Sequence, residues 1–326
     1  MDATLLLAVS AVVLGLAVLV WGADRFVLGA SATARIFGLS PLIIGLVIVG
    51  FGTSAPEMLV AGLAALEGAP ALGIGNALGS NIANIALVLG LTALLWPLRS
   101  GSSLLRQELP LLFAATALAG LLMLDGTLGR IEGVLLLLAL VATTGILVHQ
   151  VRRQRDPEDP MAREIVRHGP PQLRCSLGLF WLIAGLMVLL AGSYAVVWGA
   201  ASIAATLGVS ELVIGLTIIA VGTSLPELAT GIASALRREP DLLLGNIIGS
   251  NLFNTLAVLG LPAVIHPLAL DGEVLTRDLP VMALLTIALI AMLAHRPGDA
   301  GGINRAEGAI LLLAFGGYLA LLFTTL

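Results

Sequence analysis

The sequence carries little charge. Of its 326 residues, 11% are charged and 58% are apolar, with a mean hydropathy of +1.06. A soluble globular chain uses about 25% charged residues to cover its surface, so this composition excludes a cytosolic enzyme. The net charge of −4 excludes a nucleic-acid binder, and the single Cys175 excludes a disulfide framework. What remains is a polytopic membrane protein.

Ten apolar segments are long enough to cross a bilayer, since a spanning helix needs about 20 mostly apolar residues. Only Glu57 and Glu227 are charged residues within them. We therefore predict an all-α protein with ten transmembrane helices, the first of them a retained span because it lacks a basic leader. The segments are 3–23, 36–66, 68–98, 109–124, 133–151, 175–210, 212–236, 242–270, 279–295 and 308–326.

The basic residues predict the orientation. Lysine is absent, and all sixteen basic residues are arginine. With the N-terminus outside, 14 arginines fall in inner loops and only Arg130 and Arg277 in outer ones. Because cytoplasmic loops carry the excess of positive charge, both termini are predicted to be non-cytoplasmic and the loop 150–174 cytoplasmic. The membrane is expected to be the cell (inner) membrane.

The chain contains an internal repeat. Residues 38–90 align without a gap with 208–260 at an offset of 170, and 25 of the 53 positions are identical. We therefore predict a five-helix half at 1–150 with a first repeat near 38–91. A linker at 151–174 leads to a second half at 175–326 with its repeat near 208–261. Five is odd, so the halves are inverted and share a site near the membrane midplane.

The first repeated motif is Gly-Thr-Ser-x-Pro-Glu, at residues 52–57 and 222–227. Pro56 and Pro226 are predicted to break their helices, because proline lacks an N–H and displaces the carbonyl four residues earlier. Those carbonyls, of Gly52 and Gly222, become oxygen ligands, since free carbonyls at membrane depth must line a cavity. Each motif also places a threonine one turn before its glutamate, on the same helical face.

The second repeated motif adds oxygen atoms on one helical face. Asn76, Ser80 and Asn84 are spaced by four residues, and so are their counterparts at 246, 250 and 254. Any one of these polar residues is commonly only an interhelical hydrogen-bonding group. An intramembrane glutamate costs roughly 2.5–3.5 kcal/mol to insert, so a functional role is its default interpretation. Hard oxygen ligands favour Ca²⁺ or Na⁺ over zinc or copper.

These paired motifs resemble the two α-repeats of the Ca²⁺/cation antiporter superfamily, most closely the prokaryotic Na⁺/Ca²⁺ exchangers. The resemblance implies that the first and sixth spans are gating helices that slide past an eight-helix core. It implies a Ca²⁺ site formed by Thr53, Glu57, Thr223, Glu227 and the carbonyls of Gly50 and Ala220. It implies Na⁺ sites formed by Ser54, Ser80, Asn84, Ser224, Ser250 and Asn254.

The expected activity is therefore antiport of Na⁺ against Ca²⁺ by alternating access, with about three Na⁺ per Ca²⁺ as the resemblance implies. Some relatives, the K⁺-dependent exchangers among them, carry Asp where Asn254 stands, so K⁺ independence is expected. Small cations and lipid are the expected partners. No cofactor, nucleic acid, obligatory protein partner or enzymatic activity is expected. The alternatives are an antiporter of H⁺ against Ca²⁺ or another divalent cation, using the same glutamates, and, more remotely, a cation channel.

The predicted orientation can be tested by cysteine labelling. With Cys175 removed, a cysteine at Ser103 or in the loop 150–174 should react with an impermeant maleimide only after the cells are opened. Labelling in intact cells would overturn the topology.

Overall fold

The structure, a computed structural model, describes residues 3–36, 41–99, 105–153, 175–207, 220–293 and 302–325. Helices make up nearly all of this part of the chain, which confirms the mainly helical prediction. The α-helices are α1 (Ala3–Ile36), α2 (Pro41–Ile44), α3 (Gly50–Thr53), α4 (Ala55–Leu66), α5 (Pro70–Ile82), α6 (Gly90–Leu95), α7 (Leu105–Leu122), α8 (Arg130–Arg153), α9 (Cys175–Thr206), α10 (Ala220–Thr223), α11 (Leu225–Leu236), α12 (Pro240–Phe253), α13 (Gly260–Ile265), α14 (Leu279–Leu293) and α15 (Arg305–Thr325).

Four π-helical segments and four two-residue strands complete the described elements. The π-helical segments are Gly45–Val49, Ala83–Leu89, Asn254–Val258 and Val274–Asp278. The strands are β1 (Leu98–Arg99), β2 (Thr127–Leu128), β3 (Leu268–Ala269) and β4 (Gly302–Ile303). The strands depart from the all-α prediction, because two residues are too few to leave a periodic signal in a sequence.

Several helices are long and apolar enough to cross a membrane. Within the described residues there are seven such helices, and the bent pair Gly45–Thr53 and Ala55–Leu66 adds an eighth. The predicted span 109–124 contains a shorter apolar helix, and 212–236 is described only from residue 220. The total of ten spans stays a prediction. Ser103 and most of the linker lie outside the described residues.

Helix α1 extends beyond the predicted end of the first span at residue 23. The charge at Asp24 marked that end, but the helix continues to Ile36. Arg237 donates from Nη2 to the Asp24 carboxylate at 2.6 Å, and Ser31 donates to Glu239. Asp24 and Ser31 thus have partners in the turn after α11, and the helix continues past both.

Helices α1 and α9 form a tightly packed antiparallel pair. Their glycines recur every seven residues, at 15, 22 and 29 and at 185, 192 and 199. A Cβ atom on Gly22 would lie 2.6 Å from the backbone nitrogen of Leu189, and one on Gly192 would lie 2.5 Å from that of Leu19. Small residues let membrane helices approach to backbone contact, so each glycine accommodates the backbone of the other helix.

Two helical runs lie at the centre of the molecule, and both carry the second repeated motif. In Pro240–Ile265 and Pro70–Leu95, 83% and 72% of the most apolar stretch is buried, against 17–28% in the other five long helices. Their own residues Ile82, Leu244 and Ile248 form part of the main hydrophobic core. Residues of this motif are therefore shielded from lipid.

The two halves of the chain exchange contacts at equivalent positions. Strand β1 pairs with β4, and β3 pairs with β2, both antiparallel. Leu98 and Leu268, which start β1 and β3, are equivalent at the offset of 170. Gly90 packs on Gly308, while Gly260, the equivalent of Gly90 in the second half, packs on Gly133. Each half thus contacts the other through one short strand pair and one close packing of two glycines.

The glycine packing of α1 and α9 predicts a stability difference. Gly22→Ala should destabilise the protein by about 1–3 kcal/mol, because the added methyl group overpacks a backbone contact. Gly316→Ala in α15 is the control, since a Cβ there meets no atom within 4 Å among the described residues. Thermal unfolding of the detergent-purified protein provides the measurement. A melting temperature of Gly22→Ala equal to or above that of Gly316→Ala would contradict the packing.

Candidate ion-binding site

The first repeated motif breaks its helix in the same way in both halves. Ser54 separates α3 from α4 with φ −82° and ψ 0°, and Ser224 separates α10 from α11 with φ −87° and ψ 3°. Pro56 and Pro226 occupy the first turn of the following helices. The axis bends by 45° at the first break. Glu57 and Glu227 therefore lie in the first turn of a helix that starts within the apolar region.

The carbonyl expected to be free at Gly222 is occupied. The hydroxyl of Ser193 in α9 donates to this oxygen at 3.1 Å. The carbonyl is thus not without a donor as predicted, because a neighbouring helix supplies one. A carbonyl oxygen has a second lone pair, so its role as an ion ligand stays a prediction. The Gly50 carbonyl accepts the Ser54 N–H at 3.0 Å and lies 3.5 Å from the Ser250 hydroxyl.

Glu57 and Glu227 are fully buried carboxylates without counter-charges among the described residues. Both are 0% exposed, and none of their four oxygens has a hydrogen-bond partner in the described structure. They lie close enough for their charges to repel each other. The hydroxyls of Thr53 and Ser250 lie near the Glu227 carboxylate, although without a hydrogen bond of normal geometry. The two glutamates, which occupy equivalent positions in the repeats, thus share one region.

Hydrogen bonds cross between the two repeats at this region. The Thr53 hydroxyl donates to Asn246 Oδ1 at 3.1 Å and lies 3.1 Å from the Ser250 hydroxyl. The Thr223 hydroxyl donates to Asn76 Oδ1 at 3.2 Å. These two threonine–asparagine bonds connect equivalent positions of the repeats. The first motif of each half therefore contacts the second motif of the other.

The other predicted ligands are buried near the same elements. Asn84 donates to Asn251 at 3.1 Å, whereas neither side-chain polar atom of Asn254 has a partner among the described residues. Ala220 is the first residue of α10. Five of the predicted residues are at most 3% exposed and keep an unpartnered side-chain polar atom in the described structure: Ser54, Ser80, Asn84, Ser224 and Asn254. Buried polar groups are normally hydrogen-bonded, so this concentration of free oxygens suits a bound cation.

The composition of the cluster restricts its chemistry. Among the described residues, no three His, Cys, Asp or Glu side chains lie close enough together to hold a metal ion. Beyond the two glutamates, the neighbouring polar groups are hydroxyls, amides and carbonyls. Oxygen ligands of this kind suit hard cations such as Ca²⁺ and Na⁺.

Some features of the site were not predicted. Asn84 lies within the π-helical segment Ala83–Leu89, and Asn254 begins another. Such π-bulges occur frequently at functional sites, but no sequence pattern used here indicates them. Ser193 and Thr230, which bond to the site from outside the paired motifs, were also missed. Neither is repeated at the offset of 170, so the alignment gave no signal for them.

Two further buried carboxylates lie away from the pair. Asp278 is 8% exposed and accepts hydrogen bonds from Arg277 at 2.8 Å and from the Tyr318 hydroxyl at 3.0 Å. Glu108, which stands at the equivalent position of the first half, is 1% exposed, and its oxygens have no hydrogen-bond partner among the described residues. The two equivalent acids thus differ in their hydrogen bonding: Asp278 has two partners, whereas Glu108 has none among the described residues.

The sequence model of the sodium/calcium exchanger protein family matches residues 7–148 and 177–324. The chain belongs to this family. It is 48% identical over 321 residues to the putative antiporter CaxA of Alkalimonas amylolytica, covering 98% of this chain and 100% of that one. It is 42% identical to the inner membrane protein YrbG of Escherichia coli, with coverage of 95% and 97%.

A solved structure shows the same exchanger fold. A structure of the sodium-calcium exchanger NCX_Mj, soaked with Na⁺ and Sr²⁺, superposes with a TM-score of 0.84 at 31% identity, covering 97% of this chain and 98% of that one. The family resemblance inferred from the repeated motifs is confirmed. The chain therefore belongs to a family of membrane transporters of the cation/Ca²⁺ antiporter type.

Because Ser193 donates to the Gly222 carbonyl, we expect its replacement by alanine to lower the stability more than the same change at another serine of α9. Ser193→Ala should destabilise this exchanger-family protein by about 1–3 kcal/mol, because it leaves a buried carbonyl without a donor. Ser202→Ala is the control, since that exposed hydroxyl bonds only to Trp198 of its own helix among the described residues. Melting temperatures of the purified variants provide the measurement. Equal values for the two variants would show that the carbonyl does not depend on Ser193.

Proposed function

We propose that the protein is a secondary active antiporter that exchanges Na⁺ for Ca²⁺ by alternating access across the inner membrane. The observation that carries the proposal is the pair of buried carboxylates, Glu57 and Glu227, with no counter-charge among the described residues. Two such charges need cations beside them. One Ca²⁺ neutralises both, and so do two Na⁺ ions.

In this proposal Ca²⁺ is held by Thr53, Glu57, Thr223, Glu227 and the carbonyls of Gly50 and Ala220. The position of the Gly50 carbonyl, near the Ser250 hydroxyl, supports its role. Na⁺ uses the same glutamates together with Ser54, Ser80, Asn84, Ser224, Ser250 and Asn254. Their burial, and the free side-chain polar atoms of all but Ser250, support this assignment.

Shared ligands make exchange obligatory. Ca²⁺ and Na⁺ compete for the same two glutamates, so the complete sets of ions are not bound together. An empty site leaves two carboxylates unpaired in a low-dielectric interior, which costs several kcal/mol per charge. The empty protein therefore resists the change between its outward and inward states. Ions cross in one direction only when other ions return.

The proposed architecture is two inverted five-helix halves, 1–150 and 175–326, joined by a cytoplasmic linker, with both termini outside. The reciprocal threonine–asparagine bonds and the exchanged strand pairs support a two-fold relation between the halves. Helices α1 and α9 would be the gating pair. The contact of α9 with a site segment, through Ser193 and Gly222, and the close packing of α1 on α9 support that role.

We further propose that about three Na⁺ ions exchange for each Ca²⁺ and that K⁺ takes no part. Asn254 supports K⁺ independence, because it supplies no third carboxylate. The alternative, an H⁺/Ca²⁺ antiporter, uses the same glutamates. The absence of a partner for their four oxygens within the described structure favours it as the second candidate, since a buried carboxylate also binds protons.

The glutamates can be tested by charge removal. Glu57→Gln or Glu227→Gln should lower Na⁺-driven ⁴⁵Ca²⁺ uptake into proteoliposomes by at least about tenfold, because each removes one of the two charges that bind the ion. Glu67→Gln, at the exposed end of α4, is the matched control and should transport normally. Uptake near the wild-type rate in either site variant would contradict the proposed site.

The driving ion is tested with the wild-type protein in the same proteoliposomes. Uptake that requires an Na⁺ gradient and continues without K⁺ supports the proposal. Uptake driven by a pH step in the absence of Na⁺ would replace it with the H⁺/Ca²⁺ antiporter.

A further inference from the structure

We infer that Thr230 is a positioning residue, which acts through Asn246 to keep the Thr53 hydroxyl available to the transported ion. The inference rests on the proposed function, because it deepens the description of the same site. It also implies that the two halves hold their threonines differently.

Three side chains form a buried chain of hydrogen bonds. Thr230 lies in α11, three residues after Glu227, and its hydroxyl donates to the Pro226 carbonyl at 2.7 Å. The Asn246 amide donates from Nδ2 to the Thr230 oxygen at 3.1 Å. Asn246 Oδ1 then accepts from the Thr53 hydroxyl at 3.1 Å. Thr230, Asn246 and Thr53 are 1%, 1% and 0% exposed.

This chain selects one orientation of the Asn246 amide. A hydroxyl has one hydrogen, and that of Thr230 is used by the Pro226 carbonyl. Its oxygen therefore only accepts from Asn246, so Nδ2 faces Thr230 and Oδ1 faces Thr53. The reversed amide would place two acceptors against each other at Thr230.

The amide orientation decides what Thr53 offers to a cation. With Oδ1 towards it, Asn246 donates nothing to the Thr53 oxygen, which keeps its lone pairs. The one Thr53 hydrogen then has Asn246 Oδ1 and the Val49 carbonyl, each at 3.1 Å, as its acceptors. With Nδ2 towards it, the amide would donate to the Thr53 oxygen and occupy a lone pair that a cation needs. Thr230 therefore preserves a ligand that it does not touch.

Asn76, which accepts from Thr223 of the second half, has no residue that fixes its amide as Thr230 fixes Asn246 in the described structure. Thr223 donates to Asn76 Oδ1 at 3.2 Å, but Asn76 Nδ2 has no partner among the described residues. The position equivalent to Thr230 in the first repeat is Val60, which has no hydroxyl. The first-half threonine is thus pre-oriented, whereas the orientation of Asn76 is not fixed by an equivalent bond.

The test removes the Thr230 hydroxyl while keeping the side-chain shape. In reconstituted full-length protein, Thr230→Val should raise the KM for Ca²⁺ by about three- to tenfold, the value of one hydrogen bond. The maximal exchange rate should change less than the KM. Thr230→Ser should restore the wild-type KM, and Thr230→Ala is a second hydroxyl-free variant if Thr230→Val does not fold.

A double mutant separates positioning from general stability. Thr230 acts through Thr53, so Thr53→Ala/Thr230→Val should have the same KM as Thr53→Ala alone. Thr286→Val is the control, because this buried threonine bonds only to Met282 of its own helix among the described residues. Its KM should match the wild type.

Two results would overturn the inference. One is a KM for Thr230→Val and Thr230→Ala equal to that of the control. The other is a double mutant in which the effects of Thr53 and Thr230 multiply independently. The proposed function is tested separately, because wild-type protein without Na⁺-driven Ca²⁺ exchange would contradict that function whatever the variants do.

Discussion

The electrostatic cost of burying Glu57 and Glu227 is the constraint on which the rest of the site depends. The repulsion between two carboxylates in a low-dielectric interior is strong, and desolvation adds to it. The fold nevertheless brings both to one region with 0% exposure and no hydrogen-bonded partner in the described structure. In the proposed function, bound cations relieve this cost. The surrounding hydroxyl and amide groups would then be neutral ligands, so the net charge of the loaded site would depend on the ions alone.

Much of the site could be predicted from the sequence because its chemistry conflicts with its surroundings. A glutamate inside an apolar segment is costly, and its recurrence at the equivalent position of the second repeat predicted the buried pair that the structure describes. Residues whose role depends on contacts with distant parts of the chain could not be predicted in this way. Asp24 was taken to end a span, yet the distant Arg237 binds it and the helix continues. Gly222 was expected to be free, but Ser193 donates to its carbonyl.

The two halves are alike in plan and different in detail. The reciprocal bonds of Thr53 and Thr223 follow the repeat, as do the strand pairs. The neighbours of those bonds do not, since Thr230 stands where the first half has Val60. Asp278 has Arg277 and Tyr318 as partners, whereas Glu108 has no such bonds in the described structure. The halves therefore share the reciprocal threonine–asparagine bonds and differ in the side chains around them and in the partners of this second pair of acids.

The glycine contacts between α1 and α9 limit how the molecule can deform. Where two backbones touch at every second turn, neither helix can rotate about its own axis or shift by a fraction of a turn without collision. Intermediate relative positions of the two helices are therefore high in energy. In the proposed exchange cycle, a displacement of one helix would carry the other with it, so a movement that starts at one membrane surface would reach the opposite surface directly.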